Sequence, residues 1–421
     1  MDKIVIEGGK PLHGEIAVSG SKNAVLPIMA AALLADGNYQ ITNVPELKDV
    51  RTMSNLLRII GAKVDSQNNS LAIQTDQCSF FEAPYDLVKT MRASVYVLGP
   101  LIGRYGYGKV SLPGGCAWGP RPINFHIEGL KKMGANIDIV QGYVIAKTNR
   151  LKGAHIVFDI PSVGATANLL LAAVLAKGPT LLENAAKEPE VTALVDFLIS
   201  MGARIAGRGT NHLEIEGVDS LQPADAAVIP DRIEAGTFLI MVHATGGDVR
   251  LTHVNPDHLQ AVISKLTDSG ATIEADSDWI RLQSTGNIKP VNITTSVYPG
   301  FPTDLQAQWM ALMCVANGSS MITDTIYHDR FTHLAELQRF GSDISLDQNV
   351  ALVKGVPSLS GAPVMSTDLR ASASLIIAGL VAKGRTDVSR VYHLDRGYER
   401  IEEKIQALQG TIWRDKEKMV V

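Results

Sequence analysis

Six cations stand where helices disfavour them. A helix N-terminus carries a partial positive charge, so Lys or Arg there costs roughly 0.3–1 kcal/mol unless an anion is shared with it. Lys22, Arg92 and Arg370 nevertheless occupy comparable predicted starts of one kind of helix, and Arg121, Arg330 and Arg396 those of another. Any one of them reads as a solvated surface charge. Together, free helix N–H groups and guanidinium forks make a receptor for phosphate and carboxylate, which predicts a small, multiply charged anion as ligand.

Two further residue types supply reactive groups. The stretch SLPGGCAWGPR, Ser111 to Arg121, holds too much Pro and Gly for regular structure and reads as an exposed loop. Cys116 at its middle, close to Arg121, is placed to be accessible and acidified, as nucleophile or proton donor, whereas Cys314 in WMALMCVA reads as a buried structural thiol. Asp304, in YPGFPTDLQAQ, follows two prolines and opens an apolar helix, so it is an N-cap, a general base, or both. Asp368 beside Arg370 has the same two readings, and Glu188, Glu190, Asp231 and Glu234 are first of all favourable helix-start acids.

The elements that must position these groups come from a repeat. An amphipathic helix ending in glycine, then a strand, a polar turn and a second strand recur at Gly61, Gly134, Gly202, Gly270, Gly341 and Gly410, about every 70 residues. Glycine past a helix supplies a left-handed closing conformation, and Val64, Ile137, Ile205, Ile273, Ile344 and Trp413 then start the strand. Each copy also holds an earlier helix, such as AVLPIMAAALLA, TANLLLAAVLA or SASLIIAGLVA, apolar nearly all round and so buried on every side. The expected fold is α/β: six copies of helix, strand, helix, strand, strand, three per domain, with buried helices inside and sheets outside.

Composition narrows the class. A chain of 421 residues, 46% hydrophobic and 19% charged, is folded and too long for one ordinary core. A formal charge of −4 lacks the basic footprint of a nucleic-acid or anionic-membrane binder. No apolar run is long enough to span a bilayer, the N-terminal MDKIVIEGGK does not read as a signal peptide, and the three cysteines are scattered without metal-ligand spacing. These features predict a cytoplasmic protein with no nucleic-acid or membrane partner and no metal.

GSKNA from Gly20, LPGGC at Cys116, RP at Arg121, SVGAT from Ser162, NAAKEPEV, PDRIEAGTF, PGFPTDLQAQ, DLRAS and HLDRGYE, in that order along the whole chain, resemble the UDP-N-acetylglucosamine 1-carboxyvinyltransferase family of enolpyruvyl transferases. The resemblance implies a two-domain inside-out α/β barrel that closes on its substrates, with residues 22–229 as one domain and 1–21 plus 230–421 as the other. It implies transfer of the enolpyruvyl group of phosphoenolpyruvate to the 3′-hydroxyl of UDP-N-acetylglucosamine, through a tetrahedral ketal and with no cofactor, as the first committed step of peptidoglycan precursor synthesis. In that family's terms Lys22, Arg92, Arg121 and Arg396 hold phosphoenolpyruvate, Cys116 protonates its methylene carbon and is the target of fosfomycin, and Asp304 takes the sugar hydroxyl proton. Asn23 orients the sugar, Pro122, Ile123 and Asn124 lie in a segment that touches the uracil, and Ser162, Val163, Gly164 and Ile326 line the nucleotide site. Arg330, Asp368 and Arg370 complete the charged cleft.

The chain departs from the family pattern at Asn124, where Asp is usual, and at Trp118 and Pro120 in the Cys116 loop. Two alternatives compete with this reading. The sister transferase acting on shikimate 3-phosphate shares the six-copy architecture, but Cys116 and SVGAT count against it. A non-catalytic repeat scaffold explains the copies and leaves Lys22, Cys116, Asp304 and Arg396 as coincidences.

Overall fold

Among the described residues, the apolar stretches of the sequence form six core helices: α1 (Lys22–Ala31), α2 (Leu98–Tyr105), α3 (Val163–Ala173), α4 (Arg232–Thr245), α5 (Gln306–Met313) and α6 (Leu369–Val381). Every residue of α5 is buried, as are Ile233–Ala244 of α4 and Arg370–Leu380 of α6. Such helices have no solvated face, so their stability comes from packing on all sides. They belong to a computed structural model that describes residues 2–112 and 123–415. The sequence-predicted Cys116, Arg121 and Pro122, with Trp118 and Pro120, lie outside the described residues.

The chain divides into two compact units, Met1–Ser19 with Pro230–Val421, and Gly20–Ile229. The first is built on α4, α5 and α6, each packed against the other two, and the second on α1, α2 and α3. Among the described residues, six four-stranded sheets surround these cores, three in each unit. The third copy shows the pattern. Strand His155–Val157 leads through α3 to Pro179–Glu183, which is parallel to it, and helix Pro189–Ser200 then leads to the hairpin Arg204–Ala206 and His212–Glu216. Leu182, Leu213 and Ile215 face the core, while His212, Glu214 and Glu216 are exposed, the alternation of a sheet wet on one face.

Three features differ from the sequence expectation. Five copies have a short strand ahead of the core helix that the sequence reading did not expect: Glu82–Ala83, His155–Val157, Ala226–Ala227, Ile293–Thr294 and Pro363–Met365 each pair in parallel with the strand that follows a core helix. Ala226–Ala227 pairs with Asn38–Thr42 of the first copy, and Leu12–Ala17 pairs with Gly247–Thr252 of the fourth. The sixth sheet takes its inner hairpin strand from Lys3–Glu7, which lies antiparallel between Arg385–Ser389 and Thr411–Asp415.

The closing glycines follow the expected geometry in five copies, with φ of 116° at Gly61, 90° at Gly134, 100° at Gly202, 106° at Gly270 and 87° at Gly341. The sixth copy differs: the left-handed residue is Gln409, at φ 68°. Gly410 is required instead for space, because a Cβ there would lie 2.5 Å from Ile405 Cγ2.

Candidate active site

In the unit Gly20–Ile229, the N-terminal ends of the three core helices carry the predicted ligand-binding residues. Lys22 is the first residue of α1, behind the extended Ser21, and its Nζ lies 3.5 Å from Asp49 Oδ2. Asn23 follows it, half-buried. Arg92 opens the 3-10 turn Arg92–Val97 that runs directly into α2. Ser162 caps α3, its Oγ accepting from Ala165 N at 3.3 Å, with Val163 and Gly164 in the first turn. Ile123, buried, and Asn124, exposed, begin the outer helix Asn124–Lys132.

His126 and Asn168 hold this end of the unit together, and the sequence reading missed both. Asn168 Oδ1 accepts from Gly99 N at 2.7 Å, which turns its amide nitrogen toward His126 Nδ1, 2.9 Å away. His126 Nδ1 therefore accepts, and the ring carries its hydrogen on Nε2, the atom nearest the start of α3: a Cβ at Gly164 would meet it at 3.4 Å. Burial, and then the charge of Arg92, lower its pKa to about 4, so it is neutral at neutral pH. The available signal was Asn168 itself, a lone amide in the apolar run TANLLLAA. A cavity of about 510 Å³ in the same unit lies at the opposite ends of these helices, lined by Leu34, Ile102, Arg104 and Leu175, and contains none of the predicted residues.

In the other unit the charges converge on Asp304. This residue lies in the 3-10 turn Thr303–Leu305 that leads into α5, and the capping positions belong to Pro302 and Leu305, so the N-cap reading of Asp304 does not hold. Its carboxylate is a pairing centre: Arg330 Nη1 is 2.8 Å from Oδ1 and Arg370 Nη2 is 2.9 Å from Oδ2. Both arginines are buried, while the Asp304 side chain remains 28% exposed. Burial is the largest influence on Arg370 and opposes its charge, yet Asp304, Tyr398 and Asp231 together outweigh it and hold the guanidinium more firmly protonated than usual. Arg370 Nη1 is also buried and has no hydrogen-bond partner among the described residues.

A second carboxylate, Asp324, supports this centre from behind. It accepts from Thr295 Oγ1 at 2.8 Å and from the backbone N–H groups of Ile326 and Tyr327, both at 2.9 Å, which fixes the turn carrying Ile326. Thr303 Oγ1 donates to it at 2.7 Å and accepts from Arg330 Nη1 at 2.9 Å. Asp368 is the N-cap of α6, with Oδ1 accepting from Arg370 N and Ala371 N, and burial raises its pKa. Asp231 caps α4 in the same way. Arg370 is the second residue of α6, as expected. Arg330 and Arg396 are not at helix starts: Arg330 precedes the short helix Leu334–Gln338 in a turn, and Arg396 ends the 3-10 turn Val391–Arg396. The polar bends before both outer helices displace these arginines from the free N–H groups.

Among the described residues, no group of three or more His, Cys, Asp or Glu is placed to hold a metal ion, and no helix is long and apolar enough to cross a membrane.

The family pattern of EPSP synthase (3-phosphoshikimate 1-carboxyvinyltransferase) matches residues 6–405. The UDP-N-acetylglucosamine 1-carboxyvinyltransferase of Chloroherpeton thalassium is 58% identical over 417 residues, 98% of this chain and 97% of its own. That of Geotalea uraniireducens is 54% identical, over 99% of this chain and 100% of its own. Among solved structures, the enolpyruvyl transferase NikO from Streptomyces tendae superposes with a TM-score of 0.89 at 26% identity, covering 99% of both chains. EPSP synthase from Acinetobacter baumannii superposes at 0.76 with 20% identity, a likeness of fold alone. The broad pattern thus takes in both sister transferases, and the full-length identities above half separate them: the chain belongs to the UDP-N-acetylglucosamine 1-carboxyvinyltransferase family.

Proposed function

We propose that this protein transfers the enolpyruvyl group of phosphoenolpyruvate to the 3′-hydroxyl of UDP-N-acetylglucosamine, releasing phosphate, as the first committed step of peptidoglycan precursor synthesis in the cytoplasm. The observation that carries the reading is Asp304, a partly exposed carboxylate held between two buried arginines. Such a group is an acceptor for a hydroxyl proton set among donors for oxyanions. Sequence identity to relatives named for the nucleotide sugar selects the acceptor.

The reaction proceeds by addition and elimination. The sugar oxygen bonds to C2 of phosphoenolpyruvate as Asp304 takes its proton, while Cys116 delivers a proton to the methylene carbon, giving a tetrahedral ketal. Loss of a proton from the new methyl group and departure of phosphate restore the double bond. Lys22, Arg92, Arg121 and Arg396 hold the phosphate and carboxylate, and Arg330 and Arg370 stabilise charge around the base. Asn23 orients the sugar. Pro122, Ile123, Asn124, Ser162, Val163, Gly164 and Ile326 line the nucleotide, with Asn124 altering one base contact. Asp368 acts by capping the helix that carries Arg370. The partners are the two small molecules alone, and residues 22–229 and 1–21 plus 230–421 act as two domains.

Phosphate release from phosphoenolpyruvate by the purified protein tests this reading. Release that requires UDP-N-acetylglucosamine is the expected result. Release with shikimate 3-phosphate instead would identify the sister reaction, and absence of release with either acceptor from folded protein would point to Asn124, Trp118 and Pro120 and return the scaffold reading.

A further inference from the structure

Behind the Asp304 centre, buried polar groups from three core helices meet at one phenol. Thr237 on α4 donates its only hydroxyl hydrogen to Ile233 O at 2.8 Å, so its oxygen can only accept from Tyr398 Oη, 2.9 Å away. The phenol has then used its own hydrogen. Its oxygen accepts from Gln308 Nε2 on α5 at 3.1 Å. The same amide nitrogen lies 3.2 Å from Thr237 Oγ1 and 2.9 Å from the carbonyl oxygen of Asp304. Turning the amide over would set Gln308 Oε1 against that carbonyl, so its orientation is fixed. The result is a set of hydrogen bonds that starts at the Gln308 amide, with one arm to the Asp304 carbonyl and the other running through Tyr398 and Thr237 to the backbone of α4.

The third helix meets the same phenol through its ring. The Arg370 guanidinium on α6 lies 5.5 Å from the Tyr398 ring centroid while Nη2 holds Asp304 Oδ2. Tyr398 is 2% exposed, so neither its hydroxyl nor its ring face has water to substitute for these partners. One side chain thus constrains the Asp304 backbone from one side and, through Arg370, its carboxylate from the other.

We infer that Tyr398 is a positioning residue for the reaction: it sets the Asp304 carboxylate and the Arg370 guanidinium in the register that proton removal from the acceptor hydroxyl requires. The inference rests on the proposed role of Asp304 as base. A base displaced by about 1 Å loses rate on the order of 10²-fold while leaving substrate affinity in place.

The test is Tyr398→Phe in the full-length enzyme, which keeps the ring under Arg370 and removes only the hydroxyl. Steady-state kinetics with phosphoenolpyruvate and UDP-N-acetylglucosamine should show kcat lowered roughly 10–100-fold, with both KM values within about twofold of the parent. Parental kcat, or KM values that rise while kcat holds, would overturn the inference. Should the Phe variant fail to fold, Thr237→Val removes the far acceptor of the chain, and the same split between kcat and KM decides. Asp304→Asn is measured in parallel. If it turns over normally, the base assignment falls and the inference falls with it; if it is inactive while Tyr398→Phe is normal, only the positioning role fails.

Discussion

Arg370 Nη2 and Asp304 Oδ2 are 2.9 Å apart, and the two groups differ sharply in their access to water: the arginine side chain is 3% exposed and the aspartate 28%. The pair thus presents a carboxylate to solvent on the support of a buried cation. Removing the carboxylate strands that cation. Asp304→Ala should therefore cost about 3 kcal/mol of stability, whereas Asp304→Asn, which keeps an acceptor oxygen for Arg370, should cost less and still lower kcat roughly 10²–10⁴-fold. Denaturant titration and turnover assays on the two variants separate the two effects.

Thiol chemistry should be confined to Cys116. Burial raises the pKa of Cys78 and pushes that of Cys314 up to about 12, so neither is a ready nucleophile. Fosfomycin, in the presence of UDP-N-acetylglucosamine, should add a single adduct by intact mass spectrometry, and peptide mapping should place it on Cys116. Cys116→Ser should take up none. Adducts on Cys78 or Cys314 in the folded protein would contradict this assignment.

Mild acid should destabilise the protein before its carboxylates titrate. Burial lowers the pKa of His126 and His243 to about 4 and that of His333 to about 3. Between these values and the unfolded value near 6.5, the unfolded chain binds protons that the folded chain does not, so stability falls as pH falls. From pH 7 to pH 5.5 each histidine should account for a loss of roughly 1 kcal/mol. Neither nitrogen of His333 has a hydrogen-bond partner among the described residues, so His333→Leu should remove that residue's share of the loss without a large penalty at pH 7. Urea denaturation at the two pH values measures both.

The closing glycines should differ in tolerance. Gly134 has φ 90° and open space around a added Cβ, so Gly134→Ala should cost only the left-handed strain of about 1 kcal/mol. At Gly61, φ 116°, a Cβ would lie 2.5 Å from Gln77 O. A backbone oxygen cannot move aside cheaply, and Gly61→Ala should cost at least ~1 kcal/mol more. Equal thermal midpoints for the two variants would show that strain alone matters.

Much of this architecture is legible in the sequence alone, and the reasons are local. Helices such as α3 and α6 announce themselves because an all-apolar run of that length has nowhere to go but a core. The glycine followed by Val64 or Ile137 works because helix closure and strand initiation are decided within a few residues. The short parallel strands escaped for the same reason: Glu82–Ala83 and Ala226–Ala227 are too brief to show alternation, and only a distant partner makes them strands. Lys22 and Arg370 were legible through a charge that contradicts its helix. Thr237, Gln308 and Tyr398 were not, because an isolated polar residue gives no sign of which other helix will satisfy it.

The strand Lys3–Glu7, caught between Arg385–Ser389 and Thr411–Asp415, also dictates an order of assembly. As the chain leaves the ribosome, Gly20–Ile229 has all of its sheets available once residue 229 has emerged. Of the residues synthesised before it, Leu12–Ala17 must wait for Gly247–Thr252, and Lys3–Glu7, with Ile4 and Ile6, for Arg385–Ser389 and then Thr411–Asp415. The unit that contains Lys3–Glu7 is therefore the later of the two to finish, and that strand is open to wrong partners until Arg385–Ser389 has been made.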